Sequence, residues 1–79
     1  MIEVDVRYFA SMRNPDGPER ERVVAGSDAR ALYEQLRTRF GWKFDRRTIR
    51  LAVNGRMVAW EQALAHGDEI AFLPPFSGG

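Results

Sequence analysis

The final six residues of the chain are those whose types and spacing could do chemistry, and they read PPFSGG. Gly78 and Gly79 have no side chains, which makes this end about as narrow as a peptide can be. Two prolines stiffen the stem and project it away from a folded domain. We predict that the segment threads a slot in a partner protein and delivers the terminal carboxylate of Gly79 there. The threading residues are Pro74, Pro75, Phe76, Ser77 and Gly78.

A carboxylate is a poor electrophile by itself, so Gly79 would need activation. A partner that uses ATP to form an acyl-adenylate would make this carbonyl reactive. The activated carbonyl could then accept sulfur and become a thiocarboxylate, or be transferred to an amine as an amide. The alternative is a disordered end that happens to carry two glycines and does nothing.

Elsewhere the sequence offers no catalytic constellation. The chain has no cysteine and one histidine, His66, which lies in a predicted turn. Asp68 and Glu69 are adjacent, and adjacent side chains of a strand point to opposite faces, so they make a poor catalytic pair. No spacing matches a metal site or a phosphate-binding loop. We expect a chain that is non-catalytic alone, with no metal and no permanently bound cofactor.

Length and charge predict one small domain without a general affinity for nucleic acid or lipid. The chain has 79 residues with 12 basic and 11 acidic side chains, a net charge of +1. The N-terminal stretch lacks the layout of a signal peptide, so we expect a cytoplasmic protein. Arg46, Arg47 and Arg50 cluster in sequence, either as a solvated face or as a docking patch for an acidic partner.

Hydrophobic periodicity predicts five strands and one main helix. Apolar residues alternate with charged ones from Ile2 to Tyr8, which is typical of a strand with one buried face. Turn dipeptides such as Asn54-Gly55 separate the later strands. The predicted strands are Ile2–Tyr8, Glu19–Val24, Ile49–Val53, Arg56–Ala59 and Glu69–Leu73, and the predicted helical segments are Asp28–Phe40 and a single turn at Trp60–Leu64.

The helix carries the clearest boundary signals. Its apolar residues recur at helical spacing, which gives one stripe for burial. Ser27 is the predicted N-cap, with Asp28 in the first turn. Gly41 is placed to end the helix in a left-handed conformation. Trp42 and Phe44 follow it as expected core residues.

A hairpin, one helix across it and further strands predict an α+β layer pair, with a mixed sheet packed on one main helix. This is the element order of the β-grasp, or ubiquitin-like, fold. Pattern alone leaves open a ferredoxin-like relative that lacks a helix. We expect a β-grasp domain over residues 1–73 and an extended tail over residues 74–79.

Three stretches carry a resemblance to a known family: RYFASMR, LAVNGRMV and GDEIAFLPPFSGG, beginning at Arg7, Leu51 and Gly67. Together they resemble the small, sulfur-carrying subunits of molybdopterin synthase, a ubiquitin-related family. The resemblance covers essentially the whole chain, and its specific part is the Gly-Asp-Glu strand that leads to Pro-Pro and Gly-Gly.

The resemblance implies a division of labour between proteins. An adenylyltransferase similar to ubiquitin-activating enzymes would use ATP to activate Gly79, and a sulfur donor would convert it to a thiocarboxylate. The tail would then enter the large catalytic subunit, within a heterotetramer, and give its sulfur to cyclic pyranopterin monophosphate. Two rounds would build the dithiolene that later binds molybdenum, and the catalytic side chains would belong to the large subunit.

Three large apolar residues break the buried alternation and predict a docking surface. If the alternating strand residues face inward, Phe9, Met57 and Leu73 face outward. Exposed apolar residues of this size are typical of an interface. The alternative is that each fills the core at a strand end or bulge.

Four functions stay open on the sequence. The first is the sulfur carrier of molybdopterin synthesis. The second is a carrier for thiamine, cysteine or tRNA thiolation, with the same chemistry at Gly79. The third is a protein modifier of the ubiquitin type, and the fourth is a β-grasp binding module with an inert tail.

Overall fold

The computed structural model describes residues 1–9 and 12–75, which form one five-stranded sheet and one main helix. The strands are β1 (Ile2–Tyr8), β2 (Arg20–Ala25), β3 (Arg50–Val53), β4 (Arg56–Val58) and β5 (Glu69–Leu73), the helix is α1 (Ala29–Phe40), and a short 3₁₀ turn spans Arg46–Thr48. Each predicted strand is present, with ends shifted by at most one residue.

The sheet has the order β2-β1-β5-β3-β4. β1 and β2 form an antiparallel hairpin, whereas β1 and β5 run parallel, with Val6 opposite Ile70 and Tyr8 opposite Phe72. β3 is antiparallel to both β5 and β4. The sheet is therefore mixed and has its last strand at the centre, which confirms the predicted α+β, β-grasp fold.

The core lies between α1 and the inner face of the sheet. The apolar stripe of α1 buries Leu32, Tyr33 and Leu36 to 1 % exposure or less. It faces alternate residues of β1, β3 and β5, as the two periodicities require. The Tyr33 ring packs edge-on against the ring of Phe72, with 5.3 Å between the ring centroids. This pair joins the helix to the central strand.

The N-cap prediction was off by one residue. α1 begins at Ala29, and its N-cap is Asp28, whose side chain accepts a hydrogen bond from the Arg30 amide at 2.9 Å. Ser27 has another task, because its carbonyl accepts from the Leu64 amide. Gly41 ends the helix at φ 70°, in the left-handed conformation that was predicted.

The predicted helical turn at Trp60–Leu64 is wrong. One local turn bond is present, from the Gln62 amide to the Ala59 carbonyl at 3.0 Å. The residues after it pair with the start of α1 instead of continuing a helix, through a bridge between Asp28 and Ala63. Trp60 lies over the core: its ring stacks on Phe72, and its indole donates to the Ile49 carbonyl at 3.2 Å. A contact across the fold overrides the local helical preference here.

The aromatic residues after α1 belong to the core, as predicted. Trp42 is 5 % exposed, and its indole N–H donates to the carbonyl of Met12 at 3.1 Å. Phe44 is half-buried against the core, and its carbonyl accepts from the Tyr33 hydroxyl at 3.1 Å. These bonds satisfy the polar atoms of two large buried side chains, the indole N–H of Trp42 and the hydroxyl of Tyr33.

A charged cluster ties the end of β1 to β2 and to the end of α1. Glu21 accepts from the Tyr8 hydroxyl at 2.8 Å and takes a two-point contact from the Arg39 guanidinium. Burial raises the pKa of Glu21, but the hydrogen bonds from Arg39 and Tyr8 outweigh this, so the pKa lies below its usual value. The stabilisation is present when Glu21 is ionised and is lost as pH falls through its lowered pKa.

We expect Glu21→Gln to destabilise the fold at pH 7 by about 1.5–3 kcal/mol, the range for hydrogen bonds to charged groups. The gap from the unsubstituted protein should narrow when the pH is lowered well below the usual pKa of a glutamate side chain, because protonation of Glu21 removes the same charge. Urea unfolding at both pH values measures the gap. Glu19→Gln is the matched control, since Glu19 is 74 % exposed in its ion pair with Arg13. A gap of equal size at both pH values would show that charge is not the cause.

Candidate functional site

β5 carries the chain to the predicted tail from the centre of the sheet. Ile70 and Phe72 are 0 % and 1 % exposed, so the strand is fixed in the core. Leu73 and Pro74 are half-buried, and Pro75 is exposed. Pairing ends at Leu73, as predicted, because Pro74 has no N–H to donate. The stem therefore leaves a strand that is held on both sides.

The remaining predicted tail residues, Phe76, Ser77, Gly78 and Gly79, lie outside the described residues. The threading role of the tail, and the division of the chain into residues 1–73 and 74–79, stay predictions. The structure supplies the base of the tail: a rigid central strand followed by Pro74 and Pro75.

The start of β5 is pinned by the hairpin turn between β3 and β4. The Asn54 side chain accepts from the Glu69 amide at 2.9 Å and donates to Asp68 at 3.0 Å. Asn54 has φ 53°, a left-handed conformation that asparagine tolerates better than most residues. Asp68 also accepts from the Ala65 amide at 2.8 Å. These bonds fix where the strand begins.

His66 and the adjacent carboxylates have structural contacts. The Nδ1 atom of His66 accepts from the Glu3 amide at 3.2 Å, and the Glu3 carbonyl accepts from the Gly67 amide at 2.8 Å. Asp68 contacts the hairpin turn, whereas Glu69 pairs with arginines on the outer face, so the two carboxylates serve different neighbours. Among residues 1–9 and 12–75 no group of three potential metal ligands is found.

The predicted docking residues lie on the face of the sheet away from α1. Met57 is 53 % exposed and pairs with Ala52, which in turn pairs with Ala71. Leu73 is half-buried on the same face, and Phe9 is 36 % exposed directly after β1. We call Phe9, Ala52, Met57, Ala71 and Leu73 the outer apolar surface.

Sequence reasoning did not single out Ala52 and Ala71. Their small side chains form the floor between Met57 and the strands beyond, and Ala52 is 8 % exposed. The alternation of buried and exposed residues along each strand could have identified them. Ala71 follows this alternation as the outward neighbour of buried Phe72, and Ala52 as the outward neighbour of buried Leu51. Small outward residues in a sheet centre leave room for a partner's side chains.

Apart from exposed Val24, the other half of the outer face is charged, and its charges balance one another. Arg22 pairs with Asp5 at 3.3 Å and with Glu3 at 3.9 Å. Arg7 and Arg20 pair with Glu69 at 3.7 and 3.4 Å, so three arginines face three carboxylates. All of these side chains are substantially exposed, so the pairs contribute little to stability. They do show that this half of the face needs no partner to balance its charge.

A cleft of about 500 Å³ lies at the base of the stem. It is lined by Thr48, Arg50, Leu73, Pro74 and Pro75. Arg50 is directly opposite Leu73 across β3 and β5, so its side chain belongs to the outer face. The cleft joins the stem to the outer apolar surface.

In the part of the chain that the structure describes, no helix is long and apolar enough to cross a membrane.

Comparisons with known proteins agree over nearly the whole chain. The ThiS family matches residues 6–79. The molybdopterin synthase sulfur carrier subunit of Mycobacterium tuberculosis is 35 % identical over 83 residues, covering 100 % of both chains. The subunit of the same name from Escherichia coli is 32 % identical, covering 96 % of this chain and 99 % of its own.

Solved structures also match nearly the whole chain. A putative molybdopterin converting factor subunit 1 from Pyrococcus furiosus has a TM-score of 0.76 at 30 % identity, covering 96 % of this chain and 100 % of its own. A complex of subunits 1 and 2 of the Helicobacter pylori molybdopterin-converting factor matches at 0.68 and 28 %, covering 99 % and 100 %. The small archaeal modifier protein 1 of Methanosarcina acetivorans matches at 0.77 and 26 %, covering 100 % and 98 %.

Proposed function

The chain belongs to the ThiS family, and from this premise we propose that it is the sulfur carrier of molybdenum cofactor biosynthesis, the small subunit of molybdopterin synthase. The main support for this proposal is that the similarity to known sulfur carriers extends over nearly the whole chain. Curated sulfur carrier subunits of molybdopterin synthase align over 96–100 % of this chain, and the family match runs to Gly79. The chemistry is therefore sulfur transfer from the C-terminus.

The proposed reaction begins at the carboxylate of Gly79. An activating adenylyltransferase joins this carboxylate to AMP from ATP and releases pyrophosphate. A sulfur donor then displaces AMP, which leaves a thiocarboxylate. Inside the large subunit the sulfur goes to cyclic pyranopterin monophosphate, and two rounds supply the two dithiolene sulfurs. The carrier needs no permanently bound cofactor, because ATP is used by the activating partner.

The described residues support this role by presenting the tail rather than by catalysing a reaction. β5 is paired on both sides, and the bonds of Asn54 and Asp68 fix where it begins. A rigid base reduces the conformational entropy that is lost when the tail enters a slot. The narrow diglycine end then places the terminal sulfur where a side chain would not fit.

We propose that the outer apolar surface binds the large catalytic subunit. Phe9, Met57 and Leu73 flank the base of the stem on one face, so a partner that receives the tail also meets this surface. Subunit 1 of the Helicobacter pylori factor, a protein of the same fold, was solved in complex with its subunit 2. Two carriers on a dimer of large subunits give the proposed heterotetramer.

A protein modifier of the ubiquitin type is the second candidate. The specific observation in its favour is the likeness to small archaeal modifier protein 1, at a TM-score of 0.77. Both functions begin with activation at Gly79. They differ in the group that attacks the activated carbonyl, which is sulfur from a donor for a carrier and a lysine amine for a modifier. Carriers for thiamine, cysteine or tRNA thiolation differ from the first candidate only in the protein that takes the sulfur.

Intact mass spectrometry on the protein from its own cells tests the proposal. We expect a fraction that is heavier by one oxygen-to-sulfur replacement, mapped to Gly79 by fragmentation. Incubation with the large subunit and cyclic pyranopterin monophosphate should return this fraction to the carboxylate. If only the carboxylate is found with the activating enzyme, ATP and a sulfur donor supplied, the carrier function is wrong. Amide conjugates to other proteins would favour the modifier.

A further inference from the structure

Arg46, Arg47 and Arg50, which cluster in the sequence, have three different environments in the fold. Arg47 is held by Asp45, with 2.8 Å between the guanidinium and the carboxylate. Arg46 lies over the ring of Trp60, at 5.2 Å from its centroid. Only Arg50 is in a strand of the sheet with its side chain on the outer face. The cluster is therefore not one basic patch.

Charge balance differs between the two halves of the outer face. On the polar half, Arg7, Arg20 and Arg22 each pair with a carboxylate of β1 or β5. Arg50 pairs with no carboxylate of residues 1–9 and 12–75. It is exposed, and it lines both the cleft beside Leu73 and a second groove that includes Met57. One unbalanced cation thus lies within the outer apolar surface.

A partner that covers this surface would also cover Arg50. Removing a guanidinium from water without a compensating charge is costly, and the cost is offset when a carboxylate meets it with good geometry. Arginine suits this task because its planar fork binds a carboxylate at two points. The outer apolar surface provides contact area, and Arg50 provides a charged contact that can fix the register of docking.

We propose that Arg50 binds an aspartate or glutamate of the large subunit at the point where the tail enters it. This inference rests on the proposed function. The ion pair would set the register of docking and would align the stem with the slot. The contact is made once the apolar surface is covered, so it acts mainly on the lifetime of the complex.

Calorimetric titration of the large subunit with the full carrier chain tests the proposal. Arg50→Glu should weaken binding by at least about 30-fold, since truncating one partner of a buried charge pair costs 2–5 kcal/mol and reversal adds repulsion. Arg50→Met removes the charge while it keeps much of the apolar stem, so it should weaken binding by about 30-fold, and Arg50→Glu should weaken it further. Raising the salt concentration should reduce the Arg50→Glu deficit only in part, because a buried pair is poorly screened.

Arg56→Glu is the matched control. Arg56 is also exposed and also lacks a carboxylate partner among the described residues, so the change in net charge is the same. It pairs with buried Val53 next to the hairpin turn, off the outer apolar surface. We expect it to change the affinity by less than about twofold, as for a rim charge. Circular dichroism melting of all three variants checks that each is folded.

Two results would overturn the proposal in different ways. Equal weakening by Arg50→Glu and Arg56→Glu would mean that Arg50 contributes only through net charge. No weakening by either variant would mean that Arg50 contributes nothing to binding. The sulfur carrier function would stand in both cases. No binding of the unsubstituted carrier to the large subunit would remove both the inference and the proposed function. A strong loss confined to Arg50, restored by an acid-to-basic change in the large subunit, would support the ion pair.

Discussion

Deletion of Gly79 is expected to abolish sulfur transfer while leaving the fold intact. The deletion shortens the tail by about 3.5 Å, the span of one extended residue. A misplacement of about 1 Å at a reacting centre can cost 10²-fold in rate, so we expect activity to fall by at least that factor. Every core residue that the structure identifies lies at or before Phe72, so the melting temperature should be unchanged.

The measurement combines three readouts on one variant. Molybdopterin formation with the large subunit gives activity, intact mass gives the thiocarboxylate, and calorimetry gives stability. Ser77→Ala is the control, since it changes the tail without changing its length, and we expect it to keep most of the activity. Activity retained by the shortened chain would make the tail inert and would favour the plain binding module. A large drop in melting temperature would contradict a tail that lies apart from the core.

Replacement of Phe72 by alanine is expected to cause a large loss of stability. Phe72 is 1 % exposed and lies at the centre of an aromatic cluster formed with Tyr33, Trp42 and Trp60. Truncating a buried phenylalanine costs about 3–5 kcal/mol, because the lost transfer free energy is joined by a cavity term. At about 0.05–0.15 kcal/mol per residue, the whole domain is stable by roughly 4–12 kcal/mol. The variant should be close to unfolding.

Phe9→Ala is expected to weaken docking to the large subunit while it leaves the stability of the fold nearly unchanged. Phe9 is 36 % exposed on the outer apolar surface, where the Arg7 guanidinium lies 5.4 Å from its ring centroid. Its loss should change the free energy of unfolding by less than about 1 kcal/mol, in the range of surface substitutions. It should weaken binding to the large subunit by about tenfold or more, as a truncated interface anchor does. Chemical denaturation of Phe9→Ala and Phe72→Ala measures the change in stability, and calorimetric titration of the large subunit with each variant measures the change in binding.

Two patterns would contradict this account. If Phe9→Ala destabilised the fold as strongly as Phe72→Ala, Phe9 would be a core residue at the end of β1. If it left binding to the large subunit unchanged, the outer apolar surface would not be the docking surface.

The inner face of the fold was predictable because it is encoded by neighbours in sequence. Alternation in β1 and β5 identified Val4, Val6, Ile70 and Phe72 as buried, and all four are at most 1 % exposed. The helical stripe and the terminal glycine of α1 were equally local. Periods of 2 and 3.6 residues require no knowledge of distant segments. The diglycine end, and the chemistry it suggests, was likewise readable from residue types alone.

Local preference failed where a distant contact decided the outcome. Ser27 and Asp28 are both good N-cap residues, and the bond from the Leu64 amide to the Ser27 carbonyl left capping to Asp28. In the same segment Trp60 stacks on Phe72 and Ala63 pairs with Asp28, so the turn bond between Gln62 and Ala59 does not continue into a helix. The Leu64–Ser27 bond and the Asp28–Ala63 bridge join residues 37 and 35 positions apart, so no local window contains them.

The sequence by itself determined the five strands, the main helix and the buried faces, and it predicted a tail that carries a reactive carboxylate. The tertiary structure alone decided the strand order that puts β5 at the centre, and hence the rigid base of the stem. It also divided the outer face into an ion-paired half and an apolar half that contains Arg50. The physical reason is that periodicity assigns a residue to a face, whereas its neighbours on that face are set by strand order and register.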